Sequence, residues 1–225
     1  TLTATGTFDD AFTLPADGNP NLVIVKLDST ATYLEIYLDT NSNTAGDEVL
    51  YSRQLLADFN SLTVTGGADD DRLVIDGVNG LPVFAGDVPG TVDNDTDNLS
   101  ISNEPNLLFH GNAGNDSILF QNLPGGYDQT YAMGEGDGGG KGANTAEGEI
   151  LTVAGAAQLN IYFTGLEPLL TTSPGGGTLK VYGDATANTI SVVDSPVAGY
   201  TRVQETAGPF ESFDFVPGAF TNLEI

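Results

Sequence analysis

The sequence predicts an all-β repeat protein, and three observations support this class. Apolar and polar residues alternate with a period of two in many short segments, as half-buried strands require. Turn residues separate these segments, with 29 Gly and 11 Pro in 225 residues, and no amphipathic segment has the helical period of 3.6. One strand–turn–strand pattern also recurs along the chain. A parallel β-solenoid is the favoured architecture, and tandem β-sandwiches are the alternative.

The best copy of the recurring pattern runs from 59 to 77. Its two apolar runs are separated by Gly66 and Gly67, which allow a corner, and by three aspartates. Further copies of this order occur at 2–14, 107–120 and 179–192. A flank that begins Phe-x-x-Leu also recurs, at 59–64, 163–168 and 220–225. The copies are unequally spaced, which indicates a larger unit or coils that carry loops of different lengths.

The remaining elements are expected to be short strands. They are predicted at 22–27, 33–38, 48–52, 82–85, 99–101, 149–153, 159–163, 197–203 and 212–216. Segment 54–58 is the one place for a helical turn. The glycine-rich segment 134–148 is expected to be an insertion between a repeat region with acidic loops, 1–133, and a second repeat region, 149–225. One continuous elongated domain is the alternative.

The charge balance restricts the classes of partner. Lys and Arg number 6 against 31 Asp and Glu, which gives a formal net charge of −25. Nucleic acid and anionic lipid would be repelled, so neither is an expected partner. No apolar run is long enough to cross a membrane, so no membrane insertion is expected. The absence of Cys fits an extracellular bacterial protein that does not use disulfides, although it also fits many cytosolic proteins. The start at Thr1 without Met indicates a processed chain or an excised fragment.

The most specific local pattern is an acidic segment that fits a calcium loop. Asp93, Asp95 and Asp97 take the first, third and fifth ligand positions of such a loop. Leu99 would supply the backbone carbonyl of the seventh position, and Glu104 falls where a bidentate carboxylate is needed. No helices are expected to flank the segment. The sequence therefore predicts calcium bound between strands, and a solvated acidic loop is the alternative.

A second calcium candidate lies earlier in the chain. Asp39, Asn41 and Asn43 alternate, and Asp47 or Glu48 could complete the set of oxygen ligands. Its lower charge predicts weaker binding than in the first loop. An ordinary hairpin loop rich in Asn and Asp explains the pattern equally well.

Two of the repeated turns resemble a known calcium-binding motif. Segment 111–119 resembles one unit of the hemolysin-type nonapeptide G-G-x-G-x-D-x-U-x, and 66–74 is a second such unit. With the segment 164–168, they make the chain similar to the very large secreted β-strand-repeat proteins and adhesins of bacteria, Planctomycetes included. The resemblance implies an extracellular, calcium-stabilised structural or adhesive role. The family's nonapeptides bind calcium between tandem copies, and the copies are separated here, so Asp71 and Asp116 could instead form hydrogen-bonded corners.

The two ends of the sequence complement each other. The last six residues form a flank without its downstream half, and the first six residues resemble the missing half. Solenoids need polar caps to prevent end-to-end pairing, and neither end has the sequence of a cap. We therefore expect head-to-tail self-association into a filament, surface layer or long adhesin, through a junction that contains Thr1, Leu2, Ala4, Phe220, Leu223 and Ile225.

The residues needed for catalysis are scarce, so no enzyme is expected. His110 is the only histidine, and it aligns with Thr65 and Tyr182 of the sister copies, which favours a structural strand position. Paired carboxylates keep a carbohydrate-active β-helix enzyme as an alternative. A ligand-binding adhesin domain is the other alternative, with a polysaccharide or cell-surface ligand. Its expected sign is an exposed aromatic patch formed by Tyr127, Tyr131 and Tyr162.

Overall fold

A computed structural model of the protein describes residues 8–41, 46–86, 105–133, 147–166, 168–183, 189–206 and 212–225. Within these ranges the regular structure is almost entirely β, which confirms the predicted all-β class. The helical structure described there is a three-residue 3₁₀ turn, Leu56–Asp58, within the segment 54–58 where the sequence predicts a helical turn.

Seventeen strands lie in the described ranges. The first nine are β1 Phe8–Thr13, β2 Leu22–Leu27, β3 Tyr33–Asp39, β4 Val49–Leu55, β5 Phe59–Thr65, β6 Arg72–Asp76, β7 Leu107–His110, β8 Ser117–Gln121 and β9 Asp128–Met133. The others are β10 Glu147–Ala154, β11 Ala157–Thr164, β12 Leu169–Thr171, β13 Thr178–Tyr182, β14 Ile190–Asp194, β15 Thr201–Glu205, β16 Phe213–Phe215 and β17 Asn222–Glu224.

The strands form two large sheets. Sheet I has the order β1-β5-β7-β11-β10-β9-β13-β17, and sheet II has the order β14-β15-β16-β12-β8-β6-β2-β3-β4. The chain alternates between them, since β5 and β7 belong to sheet I while β6 and β8 belong to sheet II. Parallel neighbours need a crossover connection, and here the strand in the opposite sheet provides it. Sheet I therefore contains the parallel series β1-β5-β7-β11, and sheet II the parallel series β2-β6-β8-β12-β16.

The register places the second and third copies of the recurring pattern side by side. Leu62 pairs with Leu107 in sheet I, and Leu73 pairs with Ile118 in sheet II. All four side chains are fully buried and belong to one continuous core cluster. Burial of a leucine or isoleucine side chain contributes about 1.5–3 kcal/mol, so these pairs stabilise the contact between the sheets.

Antiparallel meanders explain the unequal spacing of the copies. The meander β2-β3-β4 lies before the copy at 59–77, and the meander β9-β10-β11 lies between the copies at 107–120 and 179–192. Each adds strands to the edge or the middle of a sheet without adding a copy of the turn. The spacing thus reflects inserted hairpins.

The first copy of the pattern lies later than predicted. The sequence placed a whole strand–turn–strand copy at 2–14, but the part of that segment from Phe8 to Thr13 is the single strand β1. Phe8 pairs with Phe59, and Asn21 precedes β2 as Asp71 precedes β6. The described first copy therefore begins at Phe8 and continues through β2. The prediction was wrong because the alternation of Thr and apolar residues before Phe8 resembles a strand by itself.

Two predicted strands are absent or shorter in the structure. Segment 82–85 forms no strand, although Val83 and Phe84 pack against the core. Of the segment 197–203, only the part from Thr201 is strand, because Val197 to Tyr200 form the turn of the β14–β15 hairpin. The sequence did not predict β9 or β12, and the predicted strand 99–101 lies outside the described residues.

Strands on both sides of the glycine-rich segment belong to the same sheets. β9 and β10 are neighbours in sheet I, and β12 on the later side pairs with β8 on the earlier side. β10 begins at Glu147, inside the segment 134–148 that the sequence assigns to an insertion.

Candidate functional site

The turns that lead from sheet I to sheet II lie one above another. Leu22 pairs with Arg72, and Arg72 pairs with Ser117, so the preceding residues Asn21 and Asp71 occupy equivalent positions in successive turns. Asp116 occupies the same position in the third turn. All three side chains are buried, at 0%, 1% and 0% exposure for Asn21, Asp71 and Asp116. We refer to Asn21, Asp71 and Asp116 as the turn ladder.

Hydrogen bonds to backbone and amide groups hold the turn ladder. Asp71 Oδ1 accepts hydrogen bonds from the backbone N–H and the side-chain Nδ2 of Asn21, at 3.1 and 2.7 Å. Asp71 Oδ2 accepts one from the Gly67 N–H at 2.6 Å. Burial raises the pKa of Asp71, and the hydrogen bonds from Asn21 and Gly67 act in the opposite direction. Asp71 and Asp116 thus serve as hydrogen-bonded corners.

The glycines of these turns permit the close stacking. Gly66 donates its N–H to the carbonyl of His110 at 2.6 Å. A Cβ atom on Gly66 would lie 2.5 Å from the carbonyl oxygen of Gly111, closer than real Cβ contacts. Glycine is therefore required here because the neighbouring turn occupies the space of a side chain.

The stronger predicted calcium loop lies outside the described residues. Asp93, Asp95, Asp97, Leu99 and Glu104 all belong to the segment 87–104, which the structure does not describe. Among the residues that are described, no group of three or more His, Cys, Asp or Glu side chains could hold a metal ion.

The second candidate loop brings two of its predicted ligands together. Asp39 ends β3, is 5% exposed, and accepts a hydrogen bond from the Asn41 N–H through Oδ1 at 2.9 Å. Asp47 reaches the Asp39 carboxyl group, and a hydrogen bond with Asp39 together with its charge raises the pKa of Asp47. Asn43 lies outside the described residues. The structure therefore places Asp39, Asn41 and Asp47 at one hairpin end.

Exposed apolar side chains concentrate at the ends of the two sheets. Among the described residues, eight of the ten large exposed apolar side chains lie on the outermost strands or directly after them. They are Val49, Leu50, Tyr51 and Leu55 on β4, Val192 and Val193 on β14, and Leu223 and Ile225 at β17. We call the outer sides of β1 and β4 the first end surface, and those of β14 and β17 the second end surface.

Some of these side chains continue the core to the outside. Leu223 pairs with the buried core residue Leu179, and Val192 pairs with the buried core residue Val203. Leu223 is nevertheless 37% exposed and Val192 47% exposed. At the other end, Phe12 of β1 contacts Tyr51 of β4 with ring centroids 5.6 Å apart. The apolar layer between the sheets thus reaches both end surfaces.

The predicted junction residues divide into three groups. Leu223 and Ile225 are exposed on the second end surface, Ile225 at 64%. Phe220 instead packs inward against Tyr127 and Phe215, with ring centroids 5.5 and 5.6 Å away, so it positions β17. The remaining predicted residues lie outside the described ranges; they are Thr1, Leu2 and Ala4.

The residues considered for catalysis and ligand binding have structural contacts. His110 pairs with Thr65 in the register, as the sequence alignment of the copies predicts, and its Nδ1 lies 2.9 Å from Thr164 Oγ1. The exposed aromatic patch that would indicate a ligand-binding adhesin domain is not formed by these residues, because Tyr127, Tyr131 and Tyr162 are buried. The rings of Tyr127 and Tyr131 belong to the main core, Tyr162 packs with Leu108 in a separate small cluster, and the Tyr127 hydroxyl donates to backbone carbonyls.

Sequence reasoning missed Asn21 and the exposure of β4. Asn21 could have been found from its position directly before a strong strand, where the other copies have Asp. The sequence of β4 is that of an ordinary strand. The exposure of its four apolar residues follows from its position at the edge of sheet II, which the sequence does not show.

Comparison with protein-family models, curated proteins and solved structures gave no match to this chain. The fold and its site therefore define a class only by geometry: in the described part of the chain, a two-sheet β protein whose apolar layer reaches both end surfaces. In the described part of the chain, no helix has the length and apolar character needed to cross a membrane.

Proposed function

We propose that the chain is a structural module that assembles head to tail, with both sheets continuing from one copy into the next. The observation that supports this most is the exposure of apolar side chains on the outermost strands at both ends, among them Leu223 and Val192, which pair with buried core residues, and Tyr51, which contacts Phe12. In this proposal the assembled strands form one long solenoid-like ladder. A filament, a surface layer or a long adhesin would be built in this way.

Strand direction is compatible with such stacking. In sheet I, two antiparallel steps between β11 and β9 restore the original direction, so β17 runs parallel to β1. In sheet II, the same reasoning makes β14 parallel to β4. β17 of one copy can therefore pair with β1 of the next in the parallel mode that each already uses with its inner neighbour, β13 and β5. β14 and β4 can pair in the same relative direction.

The contact between copies would join the second end surface of one copy to the first end surface of the next, and this determines the type of assembly. A head-to-tail contact between unlike surfaces produces an open filament when the rotation between copies does not close a ring. Edge strands also carry unpaired backbone N–H and C=O groups, and a second copy can satisfy them. Each fully buried Val, Leu or Ile side chain would add about 1.5–3 kcal/mol.

The short final strand pairs with only part of its neighbour. β17 pairs with β13 only over Thr178 to Lys180, so Val181 and Tyr182 extend beyond it. Glu224 lies opposite Lys180, which makes Val181 the position opposite Ile225 if the strand were prolonged. A second copy bound at this end would extend the ladder over these residues.

Net charge determines the conditions under which assembly is expected. Copies with a net charge of −25 repel one another, and salt or bound cations reduce the repulsion. Calcium bound by the acidic loops and an extracellular, calcium-rich setting are therefore part of the proposal. Such a setting supplies the cation at concentrations that weak oxygen sites need.

Electron microscopy and sedimentation velocity of the purified chain test the proposal. We expect fibres or a concentration-dependent series of oligomers at moderate salt with calcium, and smaller species at low salt with chelator. A chain that stays monomeric at high concentration under all of these conditions would overturn head-to-tail assembly.

A further inference from the structure

One carboxylate oxygen at the β3–β4 hairpin is buried without a hydrogen-bond partner. Asp39 Oδ1 accepts the Asn41 N–H, but Asp39 Oδ2 is buried and, when Asp47 is ionised, has no hydrogen-bond donor among the described residues. Leaving a buried charged oxygen unsatisfied is costly, because its hydration is lost without replacement. Such an oxygen indicates that a donor or a cation belongs beside it.

The hairpin end forms a cleft, and Asp39 is one of the residues that line it. The cleft has a volume of about 370 Å³, and its polar lining is Asp39, Thr40, Asn41 and Asp47. Its apolar lining consists of Leu38, Val49, Leu50 and Tyr51. The space is large enough for a hydrated ion, and oxygen atoms surround it on the polar side.

The second carboxylate in the cleft cannot supply the missing donor when ionised. Asp47 lies within hydrogen-bond reach of Asp39, and two ionised carboxylates at that separation repel each other. Glu48 adds a third negative charge next in the chain, while its Oε2 accepts the Gly46 N–H at 2.8 Å.

The basic residues described nearby are engaged elsewhere. Arg53 pairs with Asp28 and Glu35, at 2.9 and 3.2 Å. Lys26 lies over the ring of Tyr37. No described ion pair reaches Asp39 or Asp47. The charge of the carboxylate pair is therefore not balanced by these side chains.

We propose that Asp39 and Asp47 hold a divalent cation in this cleft, and that Ca²⁺ is the ion that fits. Ca²⁺ accepts six to eight oxygen ligands in flexible geometry, which suits two carboxylates, the Asn41 amide oxygen and water. Cation binding at this site does not depend on assembly, but the effect of the bound ion on assembly rests on the proposed function. Val49 and Tyr51 line the same cleft and belong to the first end surface, so a bound ion would order the strand end that meets the next copy.

Terbium luminescence of the dilute, monomeric chain tests this site. Tb³⁺ replaces Ca²⁺ in oxygen sites, and Tyr51 is placed to sensitise its emission. We expect sensitised emission that Ca²⁺ displaces, and at least a tenfold loss of affinity in the double variant Asp39→Asn, Asp47→Asn. Asp194→Asn, an exposed carboxylate on β14, is the control and should bind as the parent does.

Two further variants separate this site from other acidic segments. Tyr51→Phe should lower the emission while Ca²⁺ binding measured by calorimetry persists. Asp95→Asn with Asp97→Asn should leave the emission that depends on Tyr51 unchanged. The site is overturned if the parent shows no emission that Ca²⁺ displaces, or if the Asp39, Asp47 double variant retains parental affinity. Because the chain is monomeric in this assay, either result is independent of assembly.

Discussion

Asp71 and Asp116 form consecutive steps of the turn ladder: the backbone N–H of Asp71 donates to Asp116 Oδ1 at 2.7 Å. Asp71 in turn accepts two hydrogen bonds from Asn21 with its own carboxylate. In each of these two steps, a carboxylate of one turn therefore accepts hydrogen bonds from the preceding turn. Backbone groups at the corners of the two sheets are thereby satisfied without solvent. The corner is a structural element, and its loss should affect folding before function.

Replacement of Asp71 by Ala should destabilise the fold by roughly 3 kcal/mol. It would leave the backbone N–H groups of Asn21 and Gly67 without their acceptor and remove the shortest hydrogen bond of the Asn21 amide, which keeps only the carbonyls of Pro15 and Asn19. Chemical denaturation measures this loss. Asp69→Ala is the matched control, because among the described residues the Asp69 carboxylate accepts from the exposed Gly18 N–H alone, and it should cost less than about 1 kcal/mol. Equal losses for both variants would contradict the role of the ladder.

Asp28 should make stability fall at acidic pH. Burial acts to raise its pKa, but hydrogen bonds from the Tyr33 and Thr32 N–H groups, from Thr30 and from Arg53 outweigh it and lower the pKa to about 2. A carboxylate with a folded pKa below the unfolded value of about 3.9 stabilises the protein above that value. The stabilisation is lost as pH falls from about 4 through 2.

Thermal unfolding of Asp28→Asn over this pH range checks the assignment. The variant should melt below the parent at neutral pH and approach it near pH 2, where the parent carboxylate is protonated. A constant difference between parent and variant from pH 7 to pH 2 would show that Asp28 acts through something other than its charge.

Charged residues on the end surfaces should prevent head-to-tail assembly. Ile225→Asp and Tyr51→Asp each place a carboxylate where the proposal buries an apolar side chain, so filaments or oligomers should shorten or disappear. Sedimentation velocity gives the size distribution. Val78→Asp is the matched control, since Val78 is 57% exposed but lies outside the outermost strands. Assembly that survives both end variants, or fails equally in the control, would contradict the proposed surfaces.

Asp10 should make assembly stronger at acidic pH. It lies on the edge strand β1 opposite the core residue Leu62, and burial raises its pKa. Stacking a second copy on β1 would bury it further, which favours the neutral acid, so association should tighten as pH falls through the raised pKa.

Asp10→Asn should reduce this pH dependence and allow more assembly at neutral pH. The comparison needs light scattering of parent and variant from pH 7 to pH 4 at constant salt. Lower net charge on the whole chain also favours association at acidic pH in both proteins. The contribution of Asp10 is therefore measured by the difference between the curves of parent and variant. Identical curves for both would exclude Asp10 as a determinant of assembly.

Local patterns predicted much of the fold. The segment 22–27 was predicted as a strand with the bounds of β2, and 33–38 with bounds one residue shorter than β3, because β-branched residues are concentrated in the first and aromatic and aliphatic residues in the second. The alignment of His110 with Thr65 followed from the copies themselves. β12 escaped prediction because three residues are too few to show a period.

The candidate site was predicted only in part. Asp39, Asn41 and Asp47 were found from their oxygen-ligand spacing, and the structure brings Asp39 and Asp47 together. The exposure of Val49 and Tyr51 beside them was not predicted. An apolar residue in an edge strand has the same local sequence pattern as one in a central strand. Its exposure depends on whether another strand packs beside it, and that is decided by the tertiary structure.

The sequence alone determined the strand class, the corner residues and the acidic character of this protein. These depend on the φ freedom of glycine, the alternation of side chains along a strand and the sum of charges, all of which act locally or additively. Only the tertiary structure decided which copy begins the ladder, which strands lie at the edges, and which carboxylates are buried. Those properties depend on register and burial, which arise when distant segments pair.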